Sequence, residues 1–431
     1  MIRQVFILKC CLLLTAAPLL YPSEVDRFYR EKRQSLFWFS GRAESEALRG
    51  ELITAIDSSA WIGLDSTRYH LAEIRSMASG AASGGAADPG SGRKYDSATL
   101  MYWDRLYTDA AIALCKDVYK GRDIYDMVTY DGVSGKFEAR DDQWIMGRLT
   151  ALQKEGDFRN LCHSLEPGGK EYDSLRGELD SALARQDSAA IRQWDITLNI
   201  YRWMQHFRFP SFVVVNIPSA TLRYYEQDTM QLSMKVVAGQ LSKRTPRFAA
   251  WCDQLILYPY WNVPGKIAVN EFLPLFKKVP ASVDVMNMQV IDTKGRRVDP
   301  TGIRWAAYNK DNFPFSLRQS TGCDNALGVV KFNLTSPYDV YMHDTNYKRA
   351  FNSASRYYSH GCIRLEKPFE LARLLLKEKL DTAYLNSCYK DQEPTPQSLV
   401  APVPVFVVYL TAWVDEGGRW KLYKDVYHLV K

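Results

Sequence analysis

The chain has 431 residues, of which 46% are hydrophobic and 24% are charged, so it is long enough to bury the cores of two or three globular domains. Its formal net charge is +6, a mild excess that excludes little by itself. No block of Lys and Arg suggests nucleic-acid binding, and we expect no nucleic-acid partner.

The first 23 residues are typical of an export signal. Arg3 provides a positive start, and residues 5–21 are mostly apolar, although Lys9 interrupts them. An uncleaved membrane anchor over the same residues is the alternative, but the apolar stretch is short for a spanning helix, which needs about 20 residues. We therefore expect residues 1–23 to export the protein to the periplasm or cell envelope, with a membrane tether at 5–21 as the alternative.

Residues 24–209 are predicted to form an α-helical domain. Apolar residues recur at helical spacing in four segments of this half, at 24–60, 96–120, 141–155 and 171–205. Between the first two of these segments, residues 77–93 are rich in Ala, Gly and Ser, a composition typical of flexible loops.

At Pro210 the hydrophobic period changes from helical to two, and residues 210–431 are predicted to be mostly β. The predicted strands of this half, which alternate or are rich in β-branched residues, are 212–217, 221–225, 230–236, 329–332 and 339–343. A helix is expected to begin at Pro368, and residues 403–415 are expected to pair with 420–429 in a C-terminal hairpin. The fold class is therefore α+β, with an α-helical domain followed by a mostly β domain.

A thiol and two imidazoles lie close together in the second half, in His343 and in the run SHGCIR at residues 359–364. A thiol near an imidazole is the minimum requirement for nucleophilic catalysis by cysteine, because the imidazole can take the thiol proton and leave a thiolate–imidazolium pair. Gly361 removes a side chain where a substrate carbonyl would approach Cys362. The backbone N–H groups of Gly361 and Cys362 are candidates for an oxyanion hole.

This pattern resembles the active-site signature of the L,D-transpeptidases of bacterial cell-wall synthesis, in which a histidine, a spacer of about this length, Ser/Thr-His-Gly-Cys and an apolar residue follow one another. The resemblance implies that Cys362 is the nucleophile and His343 is the base, with the other ring nitrogen of His343 held by a backbone carbonyl near Asp344. It also implies that His360 shapes the oxyanion region or the pocket. Arg364 stands where short members of the family carry Asn, although Arg is familiar in a longer branch.

Three residues around the signature are candidate substrate-binding groups. Arg364 always carries a positive charge and is expected to bind a carboxylate of the stem peptide, with a salt bridge to Glu366 or another acid as the alternative. Tyr341, which shares a strand face with His343, is a candidate pocket wall, with a core tyrosine as the alternative. Ser359 is the third candidate.

Segments outside the signature resemble the longer branch of this family, which has a helical scaffold domain before its catalytic domain. The aromatic pair Phe28-Tyr29 and the later Trp38 resemble parts of that scaffold. The resemblance therefore assigns residues 24–209 to a scaffold domain and residues 210–431 to a catalytic domain.

The longer branch also carries a subdomain that is inserted in the catalytic domain and caps the active site. Residues 265–322 are less regular and contain several prolines, so the resemblance implies that they form this lid, with an ordinary surface loop as the alternative. Only about thirty residues separate Tyr172 from Trp203, so the peptidoglycan-binding module that many longer members carry there is not expected.

The resemblance implies a two-step reaction that needs no metal and no organic cofactor. Cys362 attacks the carbonyl of the third residue of a donor tetrapeptide stem, D-Ala leaves, and an acyl-enzyme forms. An amine on a neighbouring stem then attacks, which leaves a 3→3 cross-link, and His343 acts first as base and then as acid. The partners are thus peptidoglycan stem peptides, and carbapenems are expected to acylate Cys362.

Four alternatives stay open at this point. Water as the acceptor would make the protein an L,D-carboxypeptidase, and a lipoprotein lysine as the acceptor would make it a lipoprotein-attachment enzyme. A zinc site formed by His343, His360 and Cys362 is the third alternative, because these are zinc-type ligands. A degenerate wall-binding protein without activity is the fourth.

Removal of residues 1–23 would leave six of the eight cysteines. If Cys362 is the nucleophile, five remain for pairing, so at least one of them is free. Cys115 and Cys162, both in the helical half, are the first pair to consider in an oxidising envelope. Other pairings are compatible with the sequence, because connectivity does not follow from spacing.

Overall fold

The computed structural model describes residues 18–34, 36–78, 96–377, 380–390, 392–415 and 417–430. Most of the predicted export signal and most of the Ala-, Gly- and Ser-rich stretch lie outside the described residues. Within the described part of the chain, no helix is both long enough and apolar enough to cross a membrane.

The chain divides into two compact units. The first unit is 1–122, 139–191 and 198–206. The second unit is 123–138, 192–197 and 207–431. The main division lies close to the predicted boundary at 209–210, but two short segments of the predicted scaffold pack with the second unit. One of them, residues 123–138, does so because it adds a short parallel strand to the sheet of that unit.

Helices make up most of the first unit, as the helical periodicity of the sequence predicts. In chain order the α-helices of the described residues are α1 (Pro22–Lys32), α2 (Ala43–Asp57), α3 (Leu71–Ala78), α4 (Ser97–Lys120), α5 (Ile124–Met127), α6 (Glu138–Thr150), α7 (Asp157–Leu165), α8 (Lys170–Ala184), α9 (Ser188–Gln205), α10 (Gly265–Ile267), α11 (Leu273–Lys278), α12 (Ser282–Val285), α13 (Pro368–Leu376) and α14 (Thr382–Asn386). Helix α13 begins at Pro368, where the sequence predicts a helix start.

Helix α4 carries a buried carboxylate that fixes the chain between α1 and α2. Asp104 accepts hydrogen bonds from the backbone N–H groups of Phe37 and Phe39, each at 2.9 Å. It also accepts one from the hydroxyl of Tyr29 at 2.6 Å. Because these N–H groups bond to a side chain, they are not available to a helix, and the chain is not helical here. The prediction of one helical stretch over 24–60 is therefore wrong at this break.

The strands belong to the second unit. In chain order they are β1 (Tyr130–Asp131), β2 (Ser211–Asn216), β3 (Thr221–Glu226), β4 (Thr229–Gly239), β5 (Phe248–Leu257), β6 (Trp261–Asn262), β7 (Met288–Ile291), β8 (Arg297–Val298), β9 (Ser316–Gln319), β10 (Val330–Leu334), β11 (Met342–His343), β12 (Tyr357–Ser359), β13 (Ile363–Leu365), β14 (Thr395–Val408), β15 (Ala412–Val414) and β16 (Trp420–Leu422).

The main sheet of the second unit has the strand order β1-β5-β10-β11-β13-β4-β3-β2-β14, and β12 pairs with β4 beside this path. Because β14 pairs with β2 on one side and with β5 on the other, the sheet closes on itself and buries most of its edges. Its buried core includes Val213, Phe248, Phe332, Ile363 and Val405. The closure brings β10, β11 and β13 side by side in the sheet. The observed architecture confirms the predicted α+β class.

The predicted hairpins have different outcomes. The hairpin of 221–225 with 230–236 is confirmed as β3 and β4, and Gln227 and Asp228 both have positive φ in its turn. The C-terminal hairpin is shorter than predicted, because residues 403–408 belong to β14 in the main sheet and only β15 and β16 pair with each other. Pairing of β14 with β2 and β5 joins distant parts of the chain, which a local turn pattern does not specify.

Residues 265–322, together with β6 just before them, form a small subdomain with its own sheet and its own core. Strands β6, β9, β7 and β8 pair in that order, apart from the main sheet. Phe272, Phe276, Trp305 and Leu317 are buried together in the core of this subdomain. A separate sheet and core are what an inserted subdomain requires. Its role as a lid stays a prediction.

The disulfide of the structure joins Cys323 and Cys388, whose Cα atoms are 5.0 Å apart. Cys115 and Cys162 are free thiols that contact each other between α4 and α7. The expectation that Cys115 and Cys162 pair first is therefore wrong for this structure. The bonded cysteines are separated by 65 residues, and only the fold brings them together.

We predict that reduction of the Cys323–Cys388 disulfide lowers the free energy of unfolding of the second unit by about 2–4 kcal/mol, because the bond closes a long loop in the unfolded chain. Chemical denaturation of the wild type with and without a phosphine reductant measures this difference. The double variant C323S/C388S is the control and should not respond to the reductant. An unfolding midpoint that stays constant while both thiols are released would contradict the prediction.

Candidate active site

A row of three polar side chains crosses the main sheet at β10, β11 and β13. In the backbone register Lys331 is opposite His343, and His343 is opposite Arg364. Directly opposite residues on neighbouring strands project from the same face of a sheet, so the three side chains lie next to one another. Cys362 immediately precedes β13, and its sulfur is close enough to Lys331 and Arg364 for both cations to favour its thiolate. We call the three side chains of Lys331, His343 and Arg364 the cross-strand row.

His343 is buried in the middle of the cross-strand row. Its Nδ1 lies 2.5 Å from the backbone carbonyl oxygen of Asp344, the contact that the sequence predicts. A carbonyl only accepts, so Nδ1 carries the proton of the neutral ring and Nε2 is the nitrogen that can take another. Burial lowers the pKa of His343 to about 3, and the neighbouring Arg364 and Lys331 cations lower it as well. His343 is therefore neutral near pH 7, as a general base must be.

The backbone carbonyl of Asp344, which accepts from His343, is held in place by the other hydrogen bonds of Asp344. The N–H of Asp344 donates to the carbonyl of Val330 at 2.8 Å, and its carboxylate accepts from the N–H of Val329 at 3.1 Å. Gly328 has a φ of +60°, and a Cβ at this position would lie 2.2 Å from Oδ2 of Asp344. Glycine is therefore required at 328 both by backbone conformation and by space.

Cys362 is partly buried, and its sulfur contacts two residues of the preceding loop. The thiol donates to the backbone carbonyl of Asp339 at 3.7 Å. The pKa of the thiol is raised by burial, which outweighs the opposing hydrogen bonds from the backbone N–H and the hydroxyl of Tyr341. The raised pKa of Cys362 favours the protonated thiol at neutral pH.

Tyr341 connects the members of the site. Its hydroxyl bonds to the sulfur of Cys362 and also interacts with Trp261. Its ring centroid lies 5.6 Å from that of His343, and the Nζ of Lys331 lies 4.3 Å from its centroid on the ring face. Through these contacts Tyr341 links the sulfur, the imidazole and the Lys331 cation, and its role as a pocket wall stays a prediction.

The resting site does not contain the thiolate–imidazolium pair that the sequence predicts. Such a pair requires the pKa of the imidazole to lie above that of the thiol. Here the order is reversed, because burial lowers the pKa of His343 to about 3 and raises that of Cys362. No hydrogen bond joins the two side chains among the described residues. Proton transfer therefore has to accompany the attack on a substrate.

The turn before Cys362 is held by internal hydrogen bonds. The hydroxyl of Ser359 donates to the carbonyl of Cys362 at 2.6 Å and accepts from the N–H of Gly361 at 3.1 Å. Gly361 has a φ of +118°, and its carbonyl accepts from the hydroxyl of Thr245 at 2.8 Å. A Cβ at 361 would meet its nearest atom at 3.7 Å, so the conformation rather than the space requires glycine.

Two expectations for this turn change as a result. Ser359 is 2% exposed and its hydroxyl is used inside the turn, so the structure gives it a positioning role instead of the predicted substrate contact. The N–H of Gly361 is bound to Ser359 and is not free for an oxyanion. The N–H of Cys362 has no acceptor among the described residues and is the remaining candidate donor.

His360 projects toward the inserted subdomain. Its Nε2 lies 2.7 Å from Oε1 of Glu271, and the Nζ of Lys243 lies 3.2 Å from the same oxygen. The His360 side chain is 36% exposed. It makes no hydrogen bond to Cys362 or His343 among the described residues, and through Glu271 it joins the motif to residues 268–272. Its role in shaping the oxyanion region or the pocket stays a prediction.

Arg364 has no ion-pair partner in the part of the chain that the structure describes, and its buried Nε makes no hydrogen bond. Burial lowers its pKa, as expected for a cation removed from water. The alternative of a salt bridge to Glu366 is wrong, because the carboxylate of Glu366 accepts from the N–H of Lys235 at 3.0 Å instead. A carboxylate of a ligand would complete the hydrogen bonding of Arg364.

The zinc alternative has no geometric support. Among the described residues, no three His, Cys, Asp or Glu side chains come together as a metal site requires. His360, one of the three proposed ligands, bonds to Glu271, while His343 is buried in the sheet.

Several site residues were not singled out from the sequence. Lys331 interrupts the apolar run at 329–332, and a charge within a buried strand is a signal that points to function. Glu271 and Thr245 carry no such signal, because their partners are 89 and 116 residues away in the chain.

Two models of known protein families match this chain. Residues 210–399 match the family model of the L,D-transpeptidase catalytic domain (YkuD), and residues 23–179 match the model of a scaffold domain. A curated protein of Haemophilus influenzae, whose name places it among the L,D-transpeptidases, is 36% identical over 220 residues. The match covers 51% of this chain and 44% of that relative, so the chain spans less than half of the relative's length.

Solved L,D-transpeptidases are also similar, at low identity. The enzyme from Mycobacterium smegmatis is 14% identical over 46% of this chain and 58% of its own, with a TM-score of 0.22. L,D-transpeptidase 3 from Mycobacterium tuberculosis is 13% identical over 46% of this chain and 60% of its own, with a TM-score of 0.22. The assignment depends on the family models. The second unit thus carries a catalytic domain of the L,D-transpeptidase family, and the chain combines it with a separate scaffold domain.

We predict that alkylation of Cys362 by iodoacetamide becomes about tenfold faster per pH unit between about pH 6 and pH 8, because thiolate accumulates with that slope below the raised pKa of the thiol. Labelling rates by intact mass measure this, and Cys362→Ala reports the background from other thiols. A rate that is constant over this range would reveal a preformed thiolate and would contradict the neutral resting state.

Proposed function

We propose that this protein is an L,D-transpeptidase that uses Cys362 as its nucleophile and forms 3→3 cross-links between peptidoglycan stem peptides. The observation that carries the proposal is the cross-strand row. It sets a neutral imidazole and two unpaired cations beside a cysteine thiol, in a domain of this family.

The first step is acylation of Cys362. The sulfur attacks the carbonyl of the third residue of a donor tetrapeptide, and Nε2 of His343 accepts the thiol proton as the carbon–sulfur bond forms. Nδ1 cannot do so, since it holds its proton against the carbonyl of Asp344. The N–H of Cys362 is available to donate to the oxyanion that develops on the carbonyl.

The proton then moves from His343 to the leaving amide nitrogen. Its low pKa makes the His343 imidazolium a strong acid, so it readily gives the proton to D-Ala as the carbon–nitrogen bond breaks. In the second step the neutral imidazole takes a proton from the acceptor amine as the amine attacks the thioester. The carbon–sulfur bond then breaks, and the imidazolium of His343 returns the proton to the leaving sulfur of Cys362, which restores the thiol and the neutral imidazole. His343 alone therefore acts first as the base and then as the acid in this proposal.

The remaining parts of the proposal concern binding and location. Arg364 takes a carboxylate of the acyl half of the donor, as its unpaired buried guanidinium suggests. Residues 265–322 act as a lid, and the contact of Glu271 with His360 supports this role. Residues 1–23 export the protein to the periplasm or cell envelope, where its stem-peptide partners are found.

We predict that a carbapenem acylates the wild-type protein once, at Cys362, because a strained acyl donor suits a cysteine nucleophile with a neighbouring base. Intact mass after incubation measures the adduct. Cys362→Ala should give none, while the control Cys162→Ser, which removes a partly exposed thiol of the first unit, should keep it. Absence of an adduct on reduced, folded wild type would contradict the proposed nucleophile.

We predict that a disaccharide tetrapeptide donor is converted to a 3→3 dimer with release of D-Ala, and that His343→Gln lowers this rate by about 100-fold or more through loss of the base. Product mass and fragmentation measure the outcome. A product that is only the tripeptide would contradict cross-linking and indicate the L,D-carboxypeptidase alternative, in which water is the acceptor.

A further inference from the structure

Lys331 is a half-buried cation without an anionic partner. Burial lowers its pKa, which indicates that its ammonium group is partly removed from water. Its Nζ lies on the face of the Tyr341 ring, 4.3 Å from the centroid, and it makes no ion pair or hydrogen bond within the described part of the chain. A desolvated charge that is not paired is unfavourable for the folded protein by itself.

The acids nearest in the chain and in the sheet do not compensate this charge. The carboxylate of Asp344 is paired with Lys348 and accepts from the N–H of Val329. The carboxylate of Glu366 accepts from the N–H of Lys235. Asp339 is exposed and forms no ion pair with either cation of the cross-strand row. The row therefore presents two positive charges, on Lys331 and on Arg364, one on each side of the neutral His343 and both near the thiol of Cys362.

The position of Lys331 relative to the sulfur suggests which anion it binds. Lys331 and Cys362 interact with the same ring, because Tyr341 carries the ammonium group on its face and bonds to the sulfur through its hydroxyl. In a peptide that ends one residue after the scissile amide, the terminal carboxylate is three bonds from the attacked carbonyl carbon, about 3–4 Å away. A cation beside the nucleophile can therefore reach the carboxylate of the leaving residue.

We propose that Lys331 binds the free carboxylate of the leaving amino acid and so restricts the enzyme to donors that end one residue after the scissile amide. The inference rests on the proposed function, in which Cys362 acylates with loss of a terminal residue. The proposal assigns each of the two cations to a different half of the donor. Arg364 binds the acyl half and Lys331 binds the leaving half, so an internal amide without a carboxylate at this point is a poor donor.

The test compares two tetrapeptide donors that differ only at the C-terminus, one with a free carboxylate and one with a carboxamide. The full-length wild type is expected to prefer the acid by about 10- to 100-fold in kcat/KM, the usual effect of a hydrogen-bonded charge pair. Lys331→Met, which keeps most of the length of the side chain, should lose about that factor on the acid relative to the amide. Lys331→Arg should keep part of the preference.

Two controls separate a binding role from a structural one. Lys424→Met removes an exposed lysine of the same unit and should leave both donors unaffected. Iodoacetamide carries no carboxylate, so its labelling of Cys362 measures how far Lys331→Met changes the thiol itself, whose thiolate Lys331 also favours. A fall in the labelling rate as large as the fall on the acid donor would assign Lys331 to tuning of the thiol and would overturn the proposal.

The remaining outcomes are also decisive. An equal fall on both donors in Lys331→Met, or a wild type that uses both donors equally, would overturn the role of Lys331 while the proposed function stands. A wild type that forms a carbapenem adduct and yet processes neither donor would overturn the proposed reaction and this inference with it. Loss of preference for the acid in Lys331→Met, with the amide rate retained, supports the proposal.

Discussion

The pairing of β11 with β10 on one side and with β13 on the other determines where the reactive groups of this protein lie. Strand β11 consists only of Met342–His343, and it is paired with β10 and with β13. These two pairings fix the backbone position of His343 in the sheet. A shift of one residue in either pairing would turn His343 to the opposite face and bring Met342 into its place. The base, both cations and the start of β13 all depend on this one register.

The electrostatics of the site follow from burial combined with this register. Burial disfavours both the imidazolium of His343 and the thiolate of Cys362, and the two cations beside His343 disfavour its charged form further. The same cations favour the thiolate, but less than burial opposes it. A thiol that stays protonated reacts slowly with oxidants and stray electrophiles. In the proposed function, reactivity then depends on a bound substrate whose carbonyl meets the sulfur.

The turn at 359–362 shows how hydrogen bonds to the backbone fix the position of Cys362. Ser359 closes the turn from within, and Thr245 holds the carbonyl of Gly361 from a neighbouring loop. That loop is held in turn by the buried Tyr427, whose hydroxyl donates to the carbonyl of Gly239 at 2.5 Å and accepts from the N–H of Thr245 at 3.3 Å. The position of Cys362 therefore depends on contacts from three separate segments.

Local patterns in the sequence determined a large part of this description. The motif at 359–364 and His343 predicted the candidate reactive groups, because a thiol and an imidazole together are the minimum requirement for nucleophilic catalysis by cysteine. The change of hydrophobic period at Pro210 separated the helical half from the β half. The turn at Gln227-Asp228 and the helix start at Pro368 followed from the backbone preferences of single residues.

Contacts between distant residues were decided only by the tertiary structure. Asp104 breaks the helical stretch at 33–42, Cys388 pairs with Cys323, and residues 403–408 join β2 and β5 instead of a local hairpin. The unpaired state of Lys331 and the protonation of the site belong to this group as well. Periodicity and turn chemistry act over a few neighbouring residues, whereas pairing, burial and the loss of water around a charge depend on segments that are far apart in the chain.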